Sequence, residues 1–467
     1  MPEPVTALEL KRDLGLWSAV SIVVGTVIGS GIFLVPTNMI QQMGSPGLVF
    51  FVWVFGGFLS LAGALSYAEL AAAMPRAGGE YNFLEEAYGP FWGYLYGWTQ
   101  MFVAKSGSVA TLATAFYLYL ANFRPELSAV AATIPWPIGP GRLPLEIRYG
   151  QLFAIGLIIA LAIANYYGVR VGGGIQVVVT AAKILLILGV IIFGLAGPAG
   201  SRENLASSIP APGGVAAFFA ALVAALWAYD GWNNVSMVSS EIRNPRRNLP
   251  VALIGGTIVV MTLYLLTNLA YFYVLSAAEV GASERVAADA MRRVLGEPGA
   301  AAVSIAAMVS IFAALNGSIL SGARVPYAMA RDRRFFRALA AVHPTHFTPS
   351  VAILALGAWS ALVLLSGRYE ELFTYVIFAS WILYGMTAAA VIVLRRKKPE
   401  MVRPYRTLGY PLVPVLFVAV AACLVVSTLF QSPRESLLGI VLILLGIPFY
   451  FWWTRAKRQR AVNGPST

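Results

Sequence analysis

The chain has 467 residues, 58% of them hydrophobic and 12% charged, with a mean hydropathy of +0.73. Such a chain cannot coat a soluble globule with polar groups, so the composition excludes a soluble enzyme and requires an integral membrane protein. The net charge of +12 does not by itself point to nucleic acid, because its distribution along the chain carries a different message. The single cysteine, Cys423, forms no intrachain disulfide and supports no cysteine metal site.

A membrane helix needs about 20 apolar residues, and residues 1–13 read as a short solvated tail before the first of twelve such segments. In chain order the predicted spans are 14–41, 47–73, 91–121, 150–168, 173–196, 214–241, 249–275, 299–330, 350–366, 370–394, 409–429 and 436–454, with 455–467 as a second tail. No small-residue cleavage pattern follows the first span, which argues against a signal peptide. Of 33 lysines and arginines, 21 fall in the tails and even-numbered connections and nine in odd-numbered ones. This asymmetry predicts both termini on the cytoplasmic side of a cell membrane.

The first span carries Gly25-Thr26-Val27-Ile28-Gly29-Ser30-Gly31 in its middle. Small residues can serve close helix packing, but a serine between two glycines is better explained by a break. Backbone groups freed at bilayer depth must meet protein, water or a polar ligand. The sixth span is interrupted likewise, by Trp227-Ala228-Tyr229-Asp230-Gly231-Trp232-Asn233-Asn234. The breaks lie five spans apart, an odd number, so spans 1–5 (14–196) and 6–10 (214–394) predict inverted repeats with a site at their interface, and 409–454 is appended.

The two breaks differ in polarity. The N–H groups of Ser30, Gly31 and Ile32 open a half-helix N-terminus and favour an anion, whereas the free carbonyls ending the half-helix before Trp227 favour a cation. An acid group and an amine together describe an α-amino acid. Connections add two short predicted helices, Asn82 to Tyr88 after Gly78-Gly79-Glu80-Tyr81, and Val286 to Leu295, which reads either as a lid or as an interfacial helix. His343 and His346 share a loop without the acidic or cysteine partners of a metal site. No phosphate-binding loop or nucleophile elbow is present, so no enzyme, cofactor or ATP-driven pump is expected.

These motifs carry a resemblance that extends through most of the chain. Gly25 to Phe33 resembles the first-helix signature of the amino acid–polyamine–organocation superfamily. WAYDGWNNVSMVSSEIRNPRRNLP, Trp227 to Pro250, is similar to the sixth-helix region of its L-type amino acid transporter branch and of bacterial serine/threonine or alanine/serine/cysteine exchangers. Pro75 to Tyr81, Thr180 to Lys183, and Asn316-Gly317-Ser318 with Ser321 to Arg324 agree. The resemblance implies an all-α membrane fold of twelve helices, a five-plus-five inverted repeat with helices 1 and 6 discontinuous. It implies substrate binding by Val27, Ile28, Gly29, Ser30, Gly31, Trp227, Ala228, Asp230 and Asn233, with Phe378 and Trp381 lining the site from span ten. Trp227 would close the site from outside, although membrane aromatics more often anchor or pack.

Lys183 is implied to stand where sodium-coupled relatives of the fold hold their ion, bonding the Gly25 carbonyl and the Ser318 hydroxyl. The alternative is a lysine snorkelling to the interface. Asp230 has three readings: an acceptor for substrate, a proton carrier, or the N-terminal cap of the second half-helix, which suits its charge best. Arg324 reads as an inner gate pairing with Glu69 or Glu241, or as a snorkelling arginine; the role of Lys105 stays open. The expectation is a sodium-independent exchanger of neutral amino acids, the alternatives being a proton-coupled amino acid or polyamine carrier, a channel or a sensor. The lipid bilayer is the only other partner expected. Animal members of the branch join a heavy chain through a cysteine in the loop after span three, and residues 122–148 contain none.

Overall fold

The computed structural model describes residues 10, 12–134, 145–167, 170–365 and 369–462. Most of the predicted tail 1–13 and the last five residues of the predicted tail 455–467 lie outside this set. The described residues are mostly helical. Helix α1 (Leu16–Val27) and α2 (Gly31–Met43) are the two halves of the first span, followed by α3 (Pro46–Ala73) and the short α4 (Glu80–Tyr88). The third span joins α5 (Pro90–Thr99), a π-helical turn at Gln100–Ala104, and α6 (Lys105–Leu120). A hairpin of β1 (Val130–Ile134) and β2 (Leu145–Arg148) leads to α7 (Tyr149–Tyr167), α8 (Arg170–Ala196) and α9 (Arg202–Leu205).

The sixth span divides into α10 (Gly214–Tyr229) and the single-turn α11 (Asn234–Met237), and α12 (Pro245–Val274) and α13 (Ala277–Ala282) follow. Helix α14 (Val286–Gly322) bends at Gly296 (φ 70°, ψ −163°), so the predicted helix 286–295 is a separate arm ahead of the span. Its apolar side, Val286, Ala290 and Met291, is buried. The remainder is α15 (Arg324–Arg331), α16 (Ser350–Leu364), α17 (Tyr369–Lys397), α18 (Leu412–Gln431) and α19 (Pro433–Val462).

Among the described residues, ten helical segments are long and apolar enough to cross a bilayer, and Gly214–Tyr229 and Ser350–Leu364 are shorter apolar helices. Burial orders them from centre to rim: 83% of the most apolar window is buried in the first span, against 28% in α18 and 11% in α19. Lipid-facing rows such as Leu437, Val441, Leu444 and Phe451 therefore stay exposed on α19, as lipid rather than water is their solvent.

Both breaks follow from local chemistry. Helix α1 stops where Ile28 turns to ψ 86°, and α2 restarts after Ser30. Helix α10 ends as Asp230 turns extended (φ −64°, ψ 146°), followed by Gly231 at φ 110°, a conformation that L side chains resist. The two broken helices cross closely, and a Cβ on Gly31 would collide with the backbone of Ala228. Polar side chains bind the unwound segments together. Thr26 Oγ1 donates 3.0 Å to the Gly231 carbonyl, and the Tyr264 hydroxyl on α12 lies 2.9 Å from Val27 O and 3.0 Å from Ala228 O.

Candidate substrate site between the broken helices

A small cavity lies where the breaks meet, lined by Val27, Gly29, Ser30 and Gly31 from the first span and by Trp227, Asp230, Gly231 and Asn234 from the sixth. Thr26, Ser108, Leu112 and Ser318 complete the wall. The first amides of α2, at Gly31 and Ile32, have no carbonyl one turn earlier to bond; at the end of α10, Trp227 O accepts from the Asp230 amide at 3.1 Å and Ala228 O from the Tyr264 hydroxyl. The partial charges of the two helix ends, positive on one wall and negative on the other, face a single small space. From Ala221 to Ser239 every residue except Asp230 is buried, so the cavity is where the sixth span keeps its accessible polar surface.

Aromatic groups shut the cavity on the side of the β-hairpin. The Trp227 indole N–H donates to the Tyr369 hydroxyl at 2.9 Å, and that hydroxyl donates to Ser30 Oγ at 2.9 Å, joining the two broken helices through α17. Phe373 stacks on Trp227 with ring centroids 6.1 Å apart. Ion pairs shut the opposite side, where the basic loops gather. Arg324 meets Glu241 through two nitrogens at 3.0 and 3.2 Å, and both residues are buried. Glu69 does not join them: it is held by Arg395 at 2.7 Å, Arg403 at 3.2 Å and Thr407.

Lys183 lies deep in the bundle, its Nζ donating to Gly25 O (2.7 Å), Ile28 O (2.8 Å) and Ser310 O (3.1 Å). Three backbone oxygens thus accept from one buried ammonium, which offsets part of the cost of its desolvation. The Ser310 hydroxyl also donates to Ile28 O at 3.0 Å. Ser318, expected beside Lys183, lies instead on the cavity wall, eight residues or about 12 Å further along the helix.

Further expectations fall differently. Asn233 donates to Glu80 and not to the cavity, whereas its neighbour Asn234 lines it. Ile28 and Ala228 serve the break through backbone contacts. Phe378 packs against Gly439 of α19, and Trp381 stacks on Phe417 of α18, so both face away. Phe378 lies five residues, about 140° of helical turn, beyond Phe373. The residues of α17 at the site are Tyr369, Phe373 and Tyr384, whose hydroxyl donates 2.9 Å to Asp230 Oδ1. Asp230 caps no second half-helix, since α11 begins at Asn234 without a side-chain cap.

Beneath the cavity, α4 contributes a buried acid. Glu80 is reached by Asn233 and by Ser236 Oγ at 3.3 Å. Burial pushes its carboxyl above the usual 4.5, outweighing the hydrogen bonds from its own amide, Asn233 and Tyr96 and the charge of Lys105, which pull the other way. Among the described residues no group of three or more His, Cys, Asp or Glu side chains is arranged to hold a metal ion.

Residues 14–452 match the family described as amino acid permease, and the chain belongs to that family. It is 32% identical to the serine/threonine exchanger SteT of Bacillus subtilis over 451 residues, covering 96% of this chain and 98% of the relative. The human b(0,+)-type amino acid transporter 1 is 34% identical, with 97% and 90% covered, and the human cystine/glutamate transporter 30%, with 95% and 85%. The protein is a multi-pass membrane transporter of amino acids, of the L-type branch of the amino acid–polyamine–organocation superfamily.

Proposed function

We propose that the protein exchanges one neutral L-amino acid for another by alternating access, without sodium, in the cell membrane with both termini cytoplasmic. The observation carrying this reading is the small cavity walled by a helix N-terminus on one side and a helix C-terminus on the other, complementary to a carboxylate and an ammonium on one carbon. The similarity to SteT, a serine/threonine exchanger, supports exchange of small neutral amino acids. Exchange arises when the empty carrier reorients slowly and a bound amino acid, bridging α2 and α10, lowers that barrier.

Sodium independence rests on Lys183, whose ammonium takes up the three oxygens at Gly25, Ile28 and Ser310. The inverted repeat, 14–196 against 214–394, supplies the geometry for rocking around a fixed site. A disulfide-linked heavy chain is not part of this reading. Counterflow into proteoliposomes loaded with an unlabelled amino acid tests it. Accumulation of labelled serine, threonine or alanine, equal with and without sodium, is the expected result, and failure of counterflow without sodium would overturn it. The buried carboxyl of Glu80 and the cavity-lining carboxyl of Asp230 favour a second reading, proton-coupled uptake, which a pH gradient across the same vesicles would reveal by driving net accumulation into empty liposomes.

A further inference from the structure

Lys105 opens α6 directly after the π-helical turn Gln100–Ala104, a local register shift of a kind often found at functional sites. It is buried, and its Nζ donates to Asn234 Oδ1 at 2.6 Å. Its stem crosses Gly322 of α14, where any Cβ would collide with Lys105 Cγ, so two elements fix the course of the side chain. The carboxyl groups of Glu80 and Asp230 are the acidic groups that attract the ammonium. An ammonium has donors and no lone pair, and a carboxamide has one acceptor end and one donor end. Lys105 therefore admits one orientation of the Asn234 amide, with the oxygen toward Nζ and the Nδ2 hydrogens turned from it.

Asn234 lines the cavity beside Asp230, Ser108 and Ser318. Asp230 is an acceptor there, and the oriented Asn234 amide is a donor. We propose that Lys105 is a positioning residue for side-chain selectivity: by locking the Asn234 carboxamide it gives the cavity a donor beside the Asp230 acceptor, a pair that selects amino acids bearing a side-chain hydroxyl. The hydroxyl donates to one and accepts from the other. An apolar side chain of equal size leaves the Asn234 donor unpaired and gives Asp230 no partner beyond Tyr384, a situation in which binding sites discriminate strongly. The proposal rests on the amino acid exchange argued above and adds the substrate class.

The test compares L-serine with its methyl isostere L-2-aminobutyrate in counterflow, using the full-length protein in proteoliposomes. For the wild type the KM for serine is expected at least tenfold below that for 2-aminobutyrate, with similar maximal rates. In Lys105→Met the amide is free to turn and the KM ratio is expected to fall toward one, while Lys105→Arg, again a pure donor, keeps it. Asn234→Asp keeps a partner for Lys105 but removes the donor, and its ratio is also expected near one; it serves where Lys105→Met does not purify as a monodisperse protein. A tenfold ratio persisting in Lys105→Met or Asn234→Asp overturns the proposal. So does a wild-type ratio near one while both substrates exchange, which leaves the exchange reading standing. No counterflow with either substrate or with alanine removes the exchange reading and the proposal together.

Discussion

Gly31 shows how one missing carbon sets the architecture of the site. Its backbone lies against Ala228, so Gly31→Ala forces the two broken helices apart at the cavity. Overpacking of this kind costs about 1–3 kcal/mol, and the expected outcome is a folded protein of lower thermal stability whose counterflow is at least tenfold slower. Tyr369 carries a different load, since its hydroxyl accepts from Trp227 and donates to Ser30. Tyr369→Phe leaves the ring and its packing on Phe373 but removes both bonds, each contributing about 1 kcal/mol. A rise of about five- to thirty-fold in substrate KM is expected, with little change in melting temperature. The glycines and Trp227 were legible in the sequence because small residues and an aromatic interrupt an apolar run. Tyr369 and Tyr384 were not, because a tyrosine in a membrane helix looks the same whether it bonds across the site or faces a neighbour. The choice of Phe378 failed by helical phase, and the choice of Asn233 over Asn234 by one residue in an irregular turn, where no periodicity says which side chain faces inward.

At the level of elements, the breaks themselves were readable, since Gly29-Ser30-Gly31 and Asp230-Gly231 disrupt helices that nothing else would end. The bond from Lys183 to the Gly25 carbonyl agrees with what the resemblance implied, but the other groups that hold the unwound segments were less readable because they come from distant parts of the chain: Tyr264 from α12 and Glu80 from α4. Helix α4 was foreseen as a short helix after the double glycine, but not as the bearer of a buried acid under Asn233. The raised titration of Glu80 has a thermodynamic sign. The folded protein holds this proton more tightly than the unfolded chain, so the stabilisation is complete below pH 4.5 and is lost as pH rises through the folded value. Glu80→Gln keeps an oxygen for Asn233 and abolishes the titration. Thermal unfolding in detergent is therefore expected to show the wild type losing stability relative to Glu80→Gln on raising the pH above 4.5, and a parallel pair of curves would contradict the assignment.

Across the whole molecule the cavity is closed twice, by aromatic hydrogen bonds on one side and by ion pairs on the other. The pair Arg324–Glu241 is buried on both partners. Removing one partner of such a pair leaves a stranded charge and typically costs about 3–5 kcal/mol. Arg324→Met is accordingly expected to lower the melting temperature sharply, and Arg324→Met with Glu241→Leu to recover most of it. Recovery of stability without recovery of exchange would separate the pair's role in closure from its role in folding. Lysine and arginine placement made the two sides distinguishable from the sequence, but the choice between Glu69 and Glu241 depended on how α15 follows α14, which only the fold determines.

The ammonium of Lys183, moored among three carbonyl oxygens, has one further consequence. A dissolved ion in that position comes and goes with each cycle and carries electricity with it, whereas a tethered one can never leave. Swapping one zwitterion for another then moves no net current, and the resting voltage of the cell offers nothing to harvest. Imposing a potassium diffusion potential with valinomycin should leave the initial rate of serine counterflow unaltered, so that the carrier balances pools and does not build them.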